Sequence, residues 1–162
     1  MKLMFGDLLQ IEEGIILHQV NSLGTMQKGL GSLLNKKYPD LEKNLQHTIN
    51  LKRANTSTVI STVFGTIIFS LVTDNLTIGN CFSEMGVCSD RKPGDPANTQ
   101  YDALIKCFDK AESINKEVYV PFGMGCGLAG GDWNIVSTIL KKYDFTVVAR
   151  TSDYENWFNS QQ

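Results

Sequence analysis

Pro121-Phe122-Gly123-Met124-Gly125-Cys126-Gly127-Leu128-Ala129-Gly130-Gly131-Asp132-Trp133 lies between two segments of different pattern. Before it, Glu117 to Pro121 (EVYVP) reads as a short buried strand; after it, Asp132 to Lys142 has the apolar spacing of a helix. Five glycines between positions 123 and 131 remove the Cβ atoms that would keep a large anion away from the backbone. Such a loop presents successive N–H groups beside a helix start, where the peptide dipoles favour negative charge. It is not a Walker A loop, because no Gly-Lys-Ser/Thr follows, and its spacing is not that of the dinucleotide fingerprint GxGxxG. Taken alone, the run fits a tight packing turn as well as a phosphate loop. Asp132 likewise fits a helix N-cap as well as a catalytic carboxylate.

A second segment has the same design. His18-Gln19-Val20-Asn21-Ser22-Leu23-Gly24-Thr25-Met26-Gln27-Lys28-Gly29-Leu30-Gly31 runs out of an apolar strand, Gly14 to Val20, and into a helix expected over Gly29 to Lys37. Two strand-loop-helix glycine turns in one small domain point to two walls around a single elongated anion.

The rest of the chain frames these loops. Tyr38-Pro39-Asp40 separates the helix carrying Leu30, Leu33 and Leu34 from a second one carrying Leu41, Leu45 and Ile49. Ser57 to Val63, Thr66 to Val72 and Leu76 to Phe82 read as three strands of an antiparallel meander, and Gly86 to Asn98 as an exposed loop. Thr99 to Ile114 carries Leu104, Ile105 and Phe108 on one helical face. Phe145 to Ala149 is the last long strand, and Asp153 is placed to cap a terminal helix. Helix-strand alternation at both ends with a meander between them predicts an α/β domain, a mixed sheet covered on both faces, over residues 1–162.

Composition narrows the function. A net charge of −2 lacks the basic footprint of a general nucleic-acid binder, so local geometry must hold any anionic ligand. Cys81, Cys88, Cys107 and Cys126 show no CxxC pairing and no histidine cluster, so no metal site is expected. Apolar stretches such as Thr66 to Val72 fall far short of the roughly 20 residues of a membrane span. Met1 to Leu9 carries no basic start leading to an apolar signal core, so the expectation is a cytoplasmic protein with reduced thiols.

With these residues in view, the chain resembles a macro domain. Gly6-Asp7-Leu8, the His18-Gln19-Val20-Asn21 segment with its glycine-rich continuation, Tyr101-Asp102-Ala103-Leu104, and Gly125 to Trp133 (GCGLAGGDW) occur in order along almost the whole chain. The likeness is to the branch containing the ADP-ribose 1″-phosphate phosphatases and the terminal ADP-ribose protein glycohydrolase. It implies a three-layer α/β/α sandwich with a six-stranded mixed sheet. It also implies ADP-ribose or a related nucleotide as ligand, an ADP-ribosylated macromolecule as a further partner, and no cofactor. Asp7 would accept from the adenine amino group beside Leu8, and Asn21 would hold the distal ribose. Gly29 and Leu30 would line one phosphate wall. Gly125, Cys126, Gly127, Leu128, Ala129 and Gly130 would give N–H groups to the diphosphate. Tyr154 stands after the last strand, where an aromatic platform under adenine is expected.

For chemistry, His18 matches a histidine that looks functional in the fungal phosphatase of this branch, and Asp132 is the one carboxylate of the glycine loop. The chain also departs from the family. Ala129 replaces the glycohydrolase's catalytic acid, and Gly79-Asn80-Cys81-Phe82 lacks its catalytic lysine. Gln27 and Lys28 stand where relatives carry small residues, and Lys28 is positioned to pair with a phosphate at the distal ribose. Three readings follow. One is a hydrolase of ADP-ribose 1″-phosphate or of an ADP-ribosyl link. Another is a non-catalytic binder that sequesters ADP-ribose-like or cyclic NAD-derived signals. The third is an interaction domain using the loop Gly86 to Asn98.

Overall fold

The structure is a computed structural model and describes residues 1–54, 63–86 and 91–162. Six strands occur in chain order: β1 (Lys2–Phe5), β2 (Gly14–Asn21), β3 (Ile67–Leu71), β4 (Leu76–Glu84), β5 (Val118–Pro121) and β6 (Thr146–Ala149). The helices are α1 (Gly29–Lys37), α2 (Leu41–Ala54), α3 (Tyr101–Glu112), α4 (Trp133–Leu140) and α5 (Thr151–Ser160), with a short 3-10 turn at Leu8–Gln10. The strands form one sheet in the order β1-β6-β5-β2-β4-β3. Every neighbouring pair is parallel except β3 with β4.

Both faces of this sheet are covered, which explains why its central strands read as nearly continuous apolar runs. Ile15 and Leu17 of β2 face Leu104 and Phe108 of α3 and Val136 and Leu140 of α4. Ile16 and Val20 face the other way, against Leu34 of α1 and Leu41, Leu45 and Ile49 of α2. The α/β/α sandwich with a six-stranded mixed sheet is therefore as the sequence reads.

Several local expectations change. The strand expected over Ser57 to Val63 lies outside the described residues except for Val63, which sits in a turn. Leu33 is half exposed, because a helix as short as α1 turns only Leu34 and part of Leu30 toward the sheet. Asp153 does not cap the last helix. Arg150 is the N-cap of α5, and Asp153 lies in the first turn, pairing with Arg150 at 2.7 Å. Among the described residues, no helix is long and apolar enough to cross a membrane.

The topology already locates a crevice. From β2 the chain moves toward β4 on one side, and from β5 it moves toward β6 on the other. Adjacent parallel strands whose connections diverge leave a gap beyond their carboxyl ends, where ligands of open α/β sheets bind. The β2–β5 ladder holds only at Ile15↔Val118 and Ile16↔Tyr119. The two glycine loops continue from these two strands.

Candidate functional site

Beyond that short ladder lies a cavity of about 270 Å³. Its walls are Asn21 and Thr25 to Gly31 on one side and Pro121 to Gly125 with Gly127 to Ala129 on the other; its floor includes His18, Gln19, Val20 and Glu84. The structure thus brings together His18, Asn21, Gln27, Lys28, Gly29, Leu30, Gly125, Gly127, Leu128 and Ala129 from the residues read in the sequence.

The walls are rich in uncommitted donors. Lys28 is the N-cap of α1 but makes no side-chain cap hydrogen bond, which leaves the first amides of that helix to the cavity. Across the gap, the Cys126, Gly130 and Gly131 amides close turns on Gly123, Gly127 and Gly125 carbonyls. The amides of Gly125, Gly127, Leu128 and Ala129 donate to no backbone carbonyl outside regular elements among the described residues. Donors from an uncapped helix start and from a glycine loop, facing each other, are an arrangement that can hold an anion.

Glycine is required at one position by both space and dihedral angle. Gly125 has φ +74°, and a Cβ there would lie 2.9 Å from Gln19 Oε1 and 3.0 Å from Thr99 Oγ1. Those two side chains fix the loop to the sheet. Thr99 donates to the Gly125 carbonyl at 2.6 Å, and Gln19 Nε2 donates to the Ser83 carbonyl at 3.0 Å. Asn21 shapes the opposite wall from within. Its Oδ1 accepts from the Leu23 and Thr25 amides, and its Nδ2 donates to Thr25 Oγ1 at 2.7 Å.

His18 is 2% exposed. Its Nε2 lies 2.8 Å from Asn80 Oδ1, while Asn80 Nδ2 donates to the Ile68 carbonyl at 2.8 Å and to Ser70 Oγ at 3.0 Å. A carbonyl only accepts, so the Asn80 amide orientation follows from Ile68, and His18 Nε2 must carry the ring proton. The lone pair is then on Nδ1, which is buried with no hydrogen-bond partner among the described residues. Burial lowers the His18 pKa to about 4, only partly opposed by the Asn80 hydrogen bond. The ring is therefore uncharged at neutral pH, with Nδ1 as its acceptor.

Asp7, Leu8, Cys126, Gly130, Asp132 and Tyr154 lie outside the cavity lining. Asp7 sits just past β1, exposed, and accepts from the Leu9 amide at 2.9 Å; Leu8 is buried in the core. Tyr154 packs edge-on against Phe5 at 5.5 Å and Phe122 at 5.9 Å, and Phe122 lines the cavity. Gly130 lies under the Arg91 guanidinium, and the Asn98 amide donates to the Ala129 carbonyl, so residues 91–98 back the glycine loop. Burial and the Asp132 charge push the Cys126 thiol up to about 12, so it is protonated at neutral pH.

Asp132 caps α4, accepting from the Asn134 amide at 2.8 Å. It lines a shallower hollow with Cys126, Trp133 and Trp157 on the other side of the loop. The helix start that faces the cavity is thus that of α1, not that of α4, whose N-terminus already holds a carboxylate. Asp132→Ala is expected to cost about 1 kcal/mol in urea unfolding and to leave ligand affinity within about twofold, a change close to the additivity error of distant sites. A much larger affinity loss would move Asp132 into the site.

Glu84 was not read from the sequence as a site residue. It is 7% exposed, ends β4 opposite Asn21 and lines the cavity. The one charged residue of an otherwise uncharged strand, on the edge where the loops gather, was the available signal.

The fold is that of a macrodomain. Solved structures similar to this chain include a protein of unknown function from Bacteroides thetaiotaomicron, with 24% identity over 93% of this chain and 98% of that one, TM-score 0.73. The macrodomain of Mycobacterium tuberculosis DarG is 21% identical over 91% of this chain and 97% of that one, TM-score 0.65. Thermosipho africanus DarTG in complex with ADP-ribose is 21% identical over 92% of this chain and 41% of that one, TM-score 0.64. No protein-family model and no curated protein matches the chain.

Proposed function

We propose that this chain binds ADP-ribose or a close derivative along the carboxyl edge of its sheet. The observation that carries this reading is the pair of donor-rich walls, the uncapped start of α1 and the amides of Gly125 to Ala129, facing each other across one cavity. A diphosphate fits between them. The sheet order gives the ligand a direction. Asp7, Leu8 and Tyr154, near β1 and β6, take adenine beside Phe122, and the distal ribose lies toward Asn21, His18 and the end of β4. The span from β1 to β4 is four strand spacings, about 19 Å at about 4.8 Å each, which suits an extended dinucleotide-like molecule. The similar DarTG structure carries ADP-ribose.

Hydrolysis at the distal ribose, of a 1″-phosphate or of an ADP-ribosyl link, is the second reading. It is favoured by the buried Glu84 side chain and the uncharged His18 ring at that end of the cavity. Calorimetry with ADP-ribose is expected to give a Kd of about 10 μM or tighter. Ligand held at about ten times Kd then stabilises the fold by about 1.4 kcal/mol in a thermal scan. Neither heat nor a melting shift at about 1 mM ligand, equivalent to weaker than about −4 kcal/mol, would remove the reading. Recovery of the ligand chemically intact after incubation, with no ADP-ribose released from modified protein, would leave a pure binder.

A further inference from the structure

Asn21 ends β2 at 5% exposure, and its carboxamide is spent inside the fold. Oδ1 accepts from the Leu23 amide at 3.0 Å and from the Thr25 amide at 3.2 Å. Two N–H donors on one atom identify it as the oxygen, so Nδ2 is the group that faces Thr25. Nδ2 donates to Thr25 Oγ1 at 2.7 Å and, at 3.4 Å, to the Thr25 carbonyl. A carboxamide has two donor hydrogens and two acceptor lone pairs, and here each has a partner. The side chain that the family resemblance pairs with the distal ribose therefore has nothing left to offer a ligand.

The backbone of the same wall is equally committed. The Leu23 and Thr25 amides go to Asn21 Oδ1, the Gly24 amide to the Asn21 carbonyl at 3.0 Å, and the Met26 amide to Glu42 Oε1 at 3.2 Å. Four successive N–H groups between the end of β2 and the uncapped start of α1 are thus closed to the cavity. The Thr25 hydroxyl is different. Its oxygen receives the Asn21 donor, and a hydroxyl that accepts keeps its own proton to give. No acceptor takes that proton among the described residues, and Thr25 lines the cavity.

We propose that the Thr25 hydroxyl, not Asn21, is the hydrogen-bond donor to the distal ribose, and that Asn21 orients it. The inference rests on the ADP-ribose reading above. Thr25 stands between Asn21, at the distal end, and the α1 amides that face the diphosphate. With one lone pair of Oγ1 held by Asn21 Nδ2, the O–H is left to the remaining directions, and it needs an acceptor there. A ribose hydroxyl oxygen is such an acceptor, and it returns a donor of its own to the site.

The test is calorimetry of ADP-ribose and of ADP, which lacks the distal ribose, against the wild type, Thr25→Ser and Thr25→Ala, with thermal unfolding of each variant. The two variants differ by a single oxygen. Thr25→Ser is expected to bind ADP-ribose within about twofold of wild type, and Thr25→Ala to lose about fivefold to tenfold, the scale of one neutral hydrogen bond. ADP should bind all three alike. Asn21→Ala is expected to cost as much as Thr25→Ala, and the double variant no more than either, because both remove one contact. A folded Thr25→Ala that binds ADP-ribose as Thr25→Ser does overturns the proposal. An equal loss for ADP also overturns it, by placing the hydroxyl at the diphosphate, and so does a double variant whose losses multiply, by making Asn21 a contact of its own. If Asn21→Ala does not fold, the Thr25 variants decide alone. Failure of the wild type to bind ADP-ribose is a different result, which removes the reading itself and this assignment with it.

Discussion

Gly127→Glu is expected to lose ADP-ribose affinity by about 100-fold to 1,000-fold while its unfolding free energy stays within about 0.5 kcal/mol of wild type. Gly127 suits this test because it combines two properties. It lines the cavity, and it is not among the glycines with positive φ. A Cβ built on it meets nothing within 4 Å. A side chain at this position therefore meets open space rather than the fold, and Gly127 borders the cavity as well as the outer hollow. A carboxylate there sits against the proposed diphosphate, and two like charges about 4 Å apart repel by about 4 kcal/mol at an effective dielectric constant near 20. That energy corresponds to nearly three decades in Kd. Gly125→Ala would be a poorer probe, since φ +74° and the contacts with Gln19 and Thr99 would disturb the fold together with the site. Gly127→Ala is the control, and is expected to bind within a fewfold of wild type. If folded Gly127→Glu binds as the wild type does, the anion does not lie between these loops.

The loops and helices were legible because their signals are local. Apolar spacing, Tyr38-Pro39-Asp40 and the two glycine runs each specify a few neighbouring residues, and α1 occupies the expected Gly29–Lys37. The sandwich follows from their alternation. What the sequence withheld depends on partners distant along the chain. The His18 state is set by Asn80, whose own orientation is set by the Ile68 carbonyl across the β3–β4 hairpin. Glu84 lies beyond the strand expected over Leu76 to Phe82, and it is the parallel pairing of β2 and β4 that brings it beside Asn21. The two helix starts could not be told apart by pattern either. Asp132 was recognisable as a possible cap, but the capped helix borders the outer hollow and the uncapped one borders the cavity. Tyr154 was harder still: it packs on Phe5 and Phe122, contacts between β1, the loop after β5 and α5 that no single segment reveals.

Stability is expected to fall by about 3 kcal/mol as pH drops from near neutrality to about 4 through His18 alone. The folded ring has its pKa lowered from 6.5 to about 4 by burial, so between those values the unfolded chain takes up the proton and the folded one does not. The stabilisation is complete above pH 6.5 and is lost progressively on the way down to the folded value near 4. His18→Gln replaces the ring with a group that does not titrate. Its urea-unfolding free energy should start lower at pH 7.5, because the Asn80 contact is altered, and then decline less steeply below pH 6.5 than that of wild type. Carboxylates elsewhere contribute alike to both proteins, so the difference between the two profiles isolates the ring. Parallel profiles would mean that His18 takes up a proton as readily folded as unfolded, and the neutral-acceptor assignment would fall. The same experiment bears on ligand recognition. A ring held neutral down to about pH 4 undergoes no charge change near neutrality, so ADP-ribose affinity, measured where the chain remains folded, should show no step near pH 6.5 attributable to this residue. A step that disappears in His18→Gln would instead assign the ring a proton-transfer role.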